Sequence, residues 1–360
     1  MTAVRDPGAP DRSEPIAAGS ARSVRARSAR ANYRLGAVYA LATAALLALQ
    51  EPFSALAAHK LDSADFIAFT QVSLLASIPL LIARTEARRD FVALITDWRA
   101  WPKFAVLLGV GLCGLELYDL GLSSAHPIIT AAVLNLSPFW AATVAFAVSR
   151  KPLPGSPSIF LSCFSLAFLG AMLIAWSQIN LDPTRLLSDV IRSALQSHWI
   201  YALPMPIMFA LSGTLVYVWF QDYDESAAIG VNFLVSGAVL IPAAVVHAHF
   251  RAASISGENV PAILLLLIGT LASSAAGRVF YQAALSATRN DNGFVTMFFL
   301  IIPALSALVS WPLSFWIRDL GFRPNSIFLA GLALVTAPLL LFVSSFLDVG
   351  VRKPTKTGAA

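Results

Sequence analysis

The sequence predicts an all-α integral membrane protein with ten transmembrane helices in two inverted five-helix repeats, and three observations carry that expectation. First, 57% of the residues are hydrophobic and only 12% charged, with a mean hydropathy of +0.71, whereas a soluble domain carries about 25% charged residues. A chain of 360 residues can bury a large core, but so few charges cannot give it an exterior fit for water. Second, ten apolar runs recur along the chain, each near the roughly 20 residues a bilayer requires. Third, one pattern of Gly, Tyr, Leu and Ser appears in both halves.

The elements follow in order. Residues 1–34 form a basic arm with Arg5, Arg12, Arg22, Arg25, Arg27, Arg30 and Arg34. It reads as a disordered, solvated cytoplasmic segment that meets anionic headgroups. Although the net charge is +5 and the pI about 9.4, the arm has no aromatic stacking platform beyond Tyr33, and nucleic-acid binding is not expected. The first apolar run begins near Leu35, lacks a cleavage site and is long enough to span, so it is not read as a cleavable signal. The first repeat, 35–176, holds runs at 35–58, 64–84, 104–122, 127–148 and 158–176. The second, 199–347, holds runs at 199–220, 226–248, 261–284, 294–315 and 326–347. Runs of this length in lipid must be helices, which satisfy their own backbone hydrogen bonds. Between the repeats, in the linker 177–198, Leu181, Leu186, Leu187, Val190, Ile191 and Leu195 recur at helical spacing among Asp182, Arg185, Asp189 and Arg192, which predicts an amphipathic interfacial helix. Residues 348–360 form a cytoplasmic tail.

Lysine and arginine set the orientation. The arm, the loop with Arg84, Arg88, Arg89, Arg99 and Lys103, the pair Arg150 and Lys151, and the tail all fall on one side. Only Lys60, Arg185, Arg192, Arg251, Arg318 and Arg323 fall on the other. Both termini are therefore expected in the cytoplasm.

The third and eighth runs match: Gly114-x-x-x-Tyr118-Asp119-x-x-Leu122-Ser123 aligns with Gly277-x-x-x-Tyr281-Gln282-x-x-Leu285-Ser286 at an offset of 163 residues. Pro138 and Pro303 follow at an offset of 165, with the extra residues in the turn Asn290-Asp291-Asn292-Gly293. Repeats with an odd number of spans enter the membrane from opposite sides, the arrangement that underlies alternating access. Through these tracts, and through Leu134-Asn135-Leu136-Ser137-Pro138-Phe139, the chain resembles the EamA-type branch of the drug/metabolite transporter superfamily over roughly residues 35 to 347. The resemblance implies a bacterial inner-membrane protein with ten spans and two repeats.

Glu51, Glu116, Asp119 and Arg278 fall inside apolar runs, where each charge costs about 2.5–3.5 kcal/mol at mid-helix on insertion scales. They are expected to face an interior cavity. In Gln50-Glu51-Pro52 the proline removes a helical hydrogen bond and frees the carbonyl near Ala48, so a broken, substrate-binding helix is expected; the plainer alternative places Glu51 near the headgroups, about 24 Å from the start of the span. Glu116 and Asp119 share a helix face beside Tyr118. Either is a candidate proton-coupling group, and a structural hydrogen bond to a neighbouring helix is the competing role. For Arg278 three roles are open: snorkelling to the cytoplasmic face, clamping a substrate carboxylate or phosphate, or pairing with Glu116. Tyr118, Tyr281, Gln282 and Asn135 supply uncharged partners, while Pro138 and Pro303 are expected to shape kinks.

No cofactor or metal is expected. Cys113 and Cys163 lie in apolar runs, and the pair His247 and His249 lacks a neighbouring Cys or carboxylate. The function these features predict is secondary active transport, in the direction of export, of small polar metabolites such as amino acids, with a proton gradient or the membrane potential as the energy source. No Walker motif points to direct ATP use. The expected partners are the small-molecule substrate, the lipid bilayer and the coupling proton; oligomeric state, a homodimer included, stays open. Two other classes compete. An integral membrane enzyme would need reactive groups converging at the bilayer boundary, and a receptor or structural subunit would bind without moving its ligand.

Overall fold

Every described element is a helix or a turn, as expected of a chain whose backbone must satisfy itself without water. The computed structural model describes residues 32–124, 127–150, 157–178, 203–251, 257–288, 292–316 and 324–351. The arm before residue 32, nearly all of the linker 177–198, Lys151 and Pro152, Asn290 and Asp291, and the tail beyond residue 351 lie outside them.

The first five runs become α1 (Tyr33–Ala58), α2 (Ser63–Leu81), α4 (Trp101–Ser124), the pair α5 (Pro127–Leu134) and α6 (Ser137–Ser149), and α7 (Pro157–Gln178), with a short surface helix, α3 (Thr85–Thr96), after α2. The second set becomes α8 (Met205–Trp219), α9 (Glu225–Arg251), α10 (Val260–Leu271) continuing through a π-turn at Ala272–Gly277 into α11 (Arg278–Ala287), α12 (Asn292–Met297) continuing through a 3-10 turn into α13 (Ile302–Trp316), and α14 (Ser326–Val351). Eight of these stretches are long and apolar enough to cross a membrane, and two shorter apolar helices, Met205–Trp219 and Ser326–Leu341, accompany them. The protein is a helical multi-pass membrane protein.

Local chemistry sets the helix starts. The Asn32 side chain accepts from the Leu35 N–H at 3.0 Å, Asp62 from Asp65 at 2.9 Å and Asn325 from Phe328 at 2.8 Å; each satisfies an amide that the first turn leaves without a partner. Two expectations are corrected. α1 runs unbroken through Pro52; the breaks fall instead at Asn135–Leu136, just ahead of Pro138, and at the 3-10 turn Phe298–Ile301, just ahead of Pro303. Pro52 still removes one intrahelical hydrogen bond, but α1 keeps its course through it, as other helices here do through Pro79, Pro242, Pro312 and Pro338. The basic segment after α2 is likewise not a loop. Ala87 and Leu94 are buried on one face of α3, while Arg88 and Arg89 lie exposed on the other.

Helices from the two halves pair with opposed directions. The end of α2 lies at the start of α9, where the Arg84 guanidinium meets Asp224 at 2.9 Å, and Leu75 lies against Gly237. α7 and α14 oppose each other through Asn325, which donates to the Ser177 carbonyl at 3.1 Å. Further along that contact a methyl on Gly170 would sit 2.6 Å from the Gly331 carbonyl oxygen, so only glycine permits the approach. α1 packs on α10, α11 and α13, and α8 packs on α4 and α6. The largest apolar cluster draws Phe139, Phe160 and Ile174 from the first half and Phe294, Phe328 and Val335 from the second.

Candidate functional site

We call the end of the bundle where α1 begins the near end and the other the far end. All of the sequence-expected residues but Asn135 gather in three places, and none of them is fully exposed.

Between the ends, neighbouring side chains of α1 reach different halves. Glu51, 3% exposed, accepts the Tyr118 hydroxyl at 3.1 Å, and Gln50 accepts the Ser273 hydroxyl at 2.5 Å. Ser273 sits in the π-turn, and the Thr43 hydroxyl of α1, 3.0 Å from the Tyr39 carbonyl of its own helix, is shared with the Gly277 carbonyl of that turn at 3.3 Å. A π-turn widens the helical ladder and frees polar backbone, which is why such turns recur at functional positions.

Toward the far end, Ser63 at the start of α2 donates to Glu116 of α4 at 2.9 Å. Asp119, one turn on, is 5% exposed, and its Oδ1 is buried without a hydrogen-bond partner. Its polar neighbours are Ser63, Glu116 and Asp62, two of them acids. Such a carboxylate needs a proton or an incoming donor to be at ease in this setting.

Toward the near end, Arg278 forms an ion pair with Glu225, the first residue of α9, and Gln282 donates to the other oxygen of the same carboxylate at 3.1 Å. The guanidinium lies 4.9 Å from the centre of the Tyr281 ring. Arg278 therefore does not pair with Glu116, whose partner is Ser63. Tyr281 is buried in the main apolar cluster, its ring 6.1 Å from that of Phe299. Asn135 stays at the break between α5 and α6, its amide bonded to the Ala131 carbonyl; it holds the kink and joins none of the three groups. Among the described residues no cluster of His, Cys, Asp or Glu is set to hold a metal, and the side chain of His249 lies outside them.

Glu225, Ser63 and Ser273 are the contributors that sequence reasoning missed. A signal for two of them was present. Asp62-Ser63-Ala64, Val72-Ser73 and Ile78-Pro79 of α2 match Glu225-Ser226-Ala227, Val235-Ser236 and Ile241-Pro242 of α9, all at the offset of 163 that relates Tyr118 to Tyr281. A further tract, Ser158-Ile159-Phe160-Leu161 at the start of α7, returns as Ser326-Ile327-Phe328-Leu329 at the start of α14, offset by 168; Phe160 and Phe328 are both buried in the same cluster.

No protein-family model matches the chain, and no curated protein sequence does either. Eleven chains of solved structures match. One, a crystal structure titled only as that of a protein, aligns over 88% of this chain and 99% of its own length, with a TM-score of 0.57 and 15% identity. At that identity the likeness shows the fold alone.

Proposed function

We propose that the protein is a secondary active transporter, an exporter of small polar metabolites of the amino-acid type, working by alternating access between two inverted halves of five spans each. In this reading ten helices cross the bilayer and both termini face the cytoplasm of a bacterial cell, in line with the resemblance to EamA-type members of the drug/metabolite transporter superfamily. One observation carries the reading: tracts repeated at an offset of 163 lie on α2 and α9, which run antiparallel. Equivalent segments that run in opposite directions describe halves inserted with opposite sense, and such a pair has two near-equal arrangements about a central site. The packing supports it as well. Exchanging the halves turns the contact of α1 with α10 and α11 into that of α8 with α4, and the contact of α1 with α13 into that of α8 with α6, while α2 with α9 and α7 with α14 return themselves.

In this mechanism Glu51, Gln50, Tyr118 and Ser273 hold the substrate between the halves. Asp119 takes up a proton when its end is open and gives it up when the halves rock, so substrate and proton movements are linked. The test uses purified protein in proteoliposomes with labelled amino acids and an imposed proton gradient. Accumulation that follows the gradient, and loses its dependence on it in Asp119→Asn or Glu116→Gln, is the expected result. Equal uptake with and without the gradient in the unaltered protein removes the coupling; no uptake of any solute removes the transport reading.

A further inference from the structure

At the near end a cavity of about 290 Å³ opens between the end of α2, the start of α9 and α11. It lies between the two halves, since α2 belongs to the first and α9 and α11 to the second. Its polar lining is Arg84, Ser226, Arg278, Gln282 and Ser286, and apolar walls come from residues such as Leu81 and Val279. Both charged groups on the wall are cationic. The carboxylates that balance them, Asp224 on Arg84 and Glu225 on Arg278, are not part of the lining. Nε of Arg278 is buried and has no hydrogen-bond partner, so one donor of the fork is unspent beside the cavity.

We infer that this cavity binds an organic anion, a singly charged carboxylate carried on an apolar body, with Arg278 as the principal ligand and Glu225 as its internal competitor. The guanidinium presents a planar fork suited to two oxygens. Gln282 and the two serine hydroxyls bring further hydrogen-bonding capacity, and the volume suits a ligand at the small end of the usual range. When the ligand carboxylate arrives, it takes over donors that Glu225 otherwise occupies; binding and release of the α9 start are then one event. The equivalent positions at the far end favour no anion: Gln282 corresponds to Asp119 and Arg278 to Leu115. The inference goes beyond the transport reading: it concerns a site at the near end, apart from the group at Glu51, Gln50, Tyr118 and Ser273, whose binding is measured without any movement across a membrane.

The same chemistry is offered by a soluble carboxylate and by the phosphate of a lipid headgroup, and the experiment separates them. The full chain in phosphatidylcholine nanodiscs is titrated with benzoate and with the neutral benzamide by calorimetry. Benzoate is expected to bind and benzamide to bind at least about tenfold more weakly, the scale of a charge-assisted contact. Arg278→Gln should weaken benzoate by about tenfold, whereas Glu225→Gln, which removes the competitor, should strengthen it several-fold. Arg278→Lys keeps the charge pair and serves as the folding control; it should unfold as the unaltered protein does but bind benzoate more weakly, having lost the fork. Arg99→Gln, exposed and away from the cavity, should bind as the unaltered protein. Nanodiscs containing phosphatidylglycerol decide the source. Competition assigns the cavity to a headgroup, and its absence assigns it to a free anion, and both outcomes keep the anion site. Equal binding of benzoate and benzamide, no effect of Arg278→Gln, or a loss in Glu225→Gln as large as that in Arg278→Gln overturns the proposal. None of these outcomes depends on transport: a transporter without this site still accumulates substrate, and a binding protein that transports nothing still shows it.

Discussion

The start of α2 and the start of α9 carry nearly the same residues, Asp62-Ser63-Ala64 and Glu225-Ser226-Ala227, yet they do different things. At the near end the acid of the pair is the functional group: Glu225 holds both Arg278 and Gln282, and Ser226 faces the cavity. At the far end the acid only caps its own helix, and the serine makes the cross-helix bond, to Glu116. The third helix of each half accounts for the change. α11 offers a cation and an amide where α4 offers two carboxylates, so the near end is a balanced ion pair and the far end an acidic cluster with one buried oxygen left without a partner. Two helix starts of nearly the same sequence thus sit in different electrostatic surroundings, balanced at the near end and acidic at the far end.

That contrast sets four expectations, largest first. Arg278→Leu leaves the half-buried Glu225 carboxylate without its cation and should cost about 2–3 kcal/mol, below the figure for a fully buried pair because both groups keep partial access to water. Glu116→Leu at the far end removes one hydrogen bond and should cost about 1 kcal/mol. Thermal unfolding in detergent micelles compares them, and equal losses would erase the distinction between the ends. Tyr118→Phe takes the hydroxyl from buried Glu51 and should lower stability by about 1.5–2 kcal/mol, within the range for leaving a buried polar group without its partner, read from the same melts. Asp119→Asn works in the other direction. Replacing a buried carboxylate that has one oxygen without a partner and lies among acids by a neutral amide should raise stability by about 1 kcal/mol, and a fall instead would mean that its contact with Ser63 outweighs the crowding of acids. The smallest effect is a pairwise one. Ser63→Ala should cost about 1 kcal/mol and Ser226→Ala under about 0.5 kcal/mol, because only the first serine bridges two helices; melts of the two variants side by side measure the difference.

The apolar helices were legible because lipid imposes a length and a composition that few other environments demand: eight described stretches are long and apolar enough to cross, and two shorter apolar helices stand where the sixth and tenth runs were expected. Where neighbours decide, the sequence was mute. Pro52 looked like a break but α1 runs through it, while Pro138 and Pro303, which were expected to shape kinks, do follow breaks; proline alone did not tell the two cases apart. α3 went unread because a 12-residue helix has too few turns to rise above a basic loop, and its buried face needs α9 to define it. In the candidate site the buried acids stood out as charges in apolar runs, but their partners did not. Glu225 sits among Asp222 and Asp224 and reads as part of an acidic loop until the direction of α9 brings Arg278 beside it. Only the offset of 163 residues, extended from α4 and α11 to α2 and α9, would have singled it out.

The exchange of first helices between the halves has a consequence for biosynthesis. α1 leaves the ribosome well before its main packing partners α10, α11 and α13, which lie more than 200 residues later. At roughly 5–20 residues per second it must wait ten seconds or more with Gln50 still lacking the Ser273 hydroxyl, whereas Thr43 already has the Tyr39 carbonyl of its own helix. The contacts of α1 are therefore completed from the carboxyl-terminal side: a nascent chain halted after α7 would have the residues for the bond between Glu51 and Tyr118 but not for that between Gln50 and Ser273.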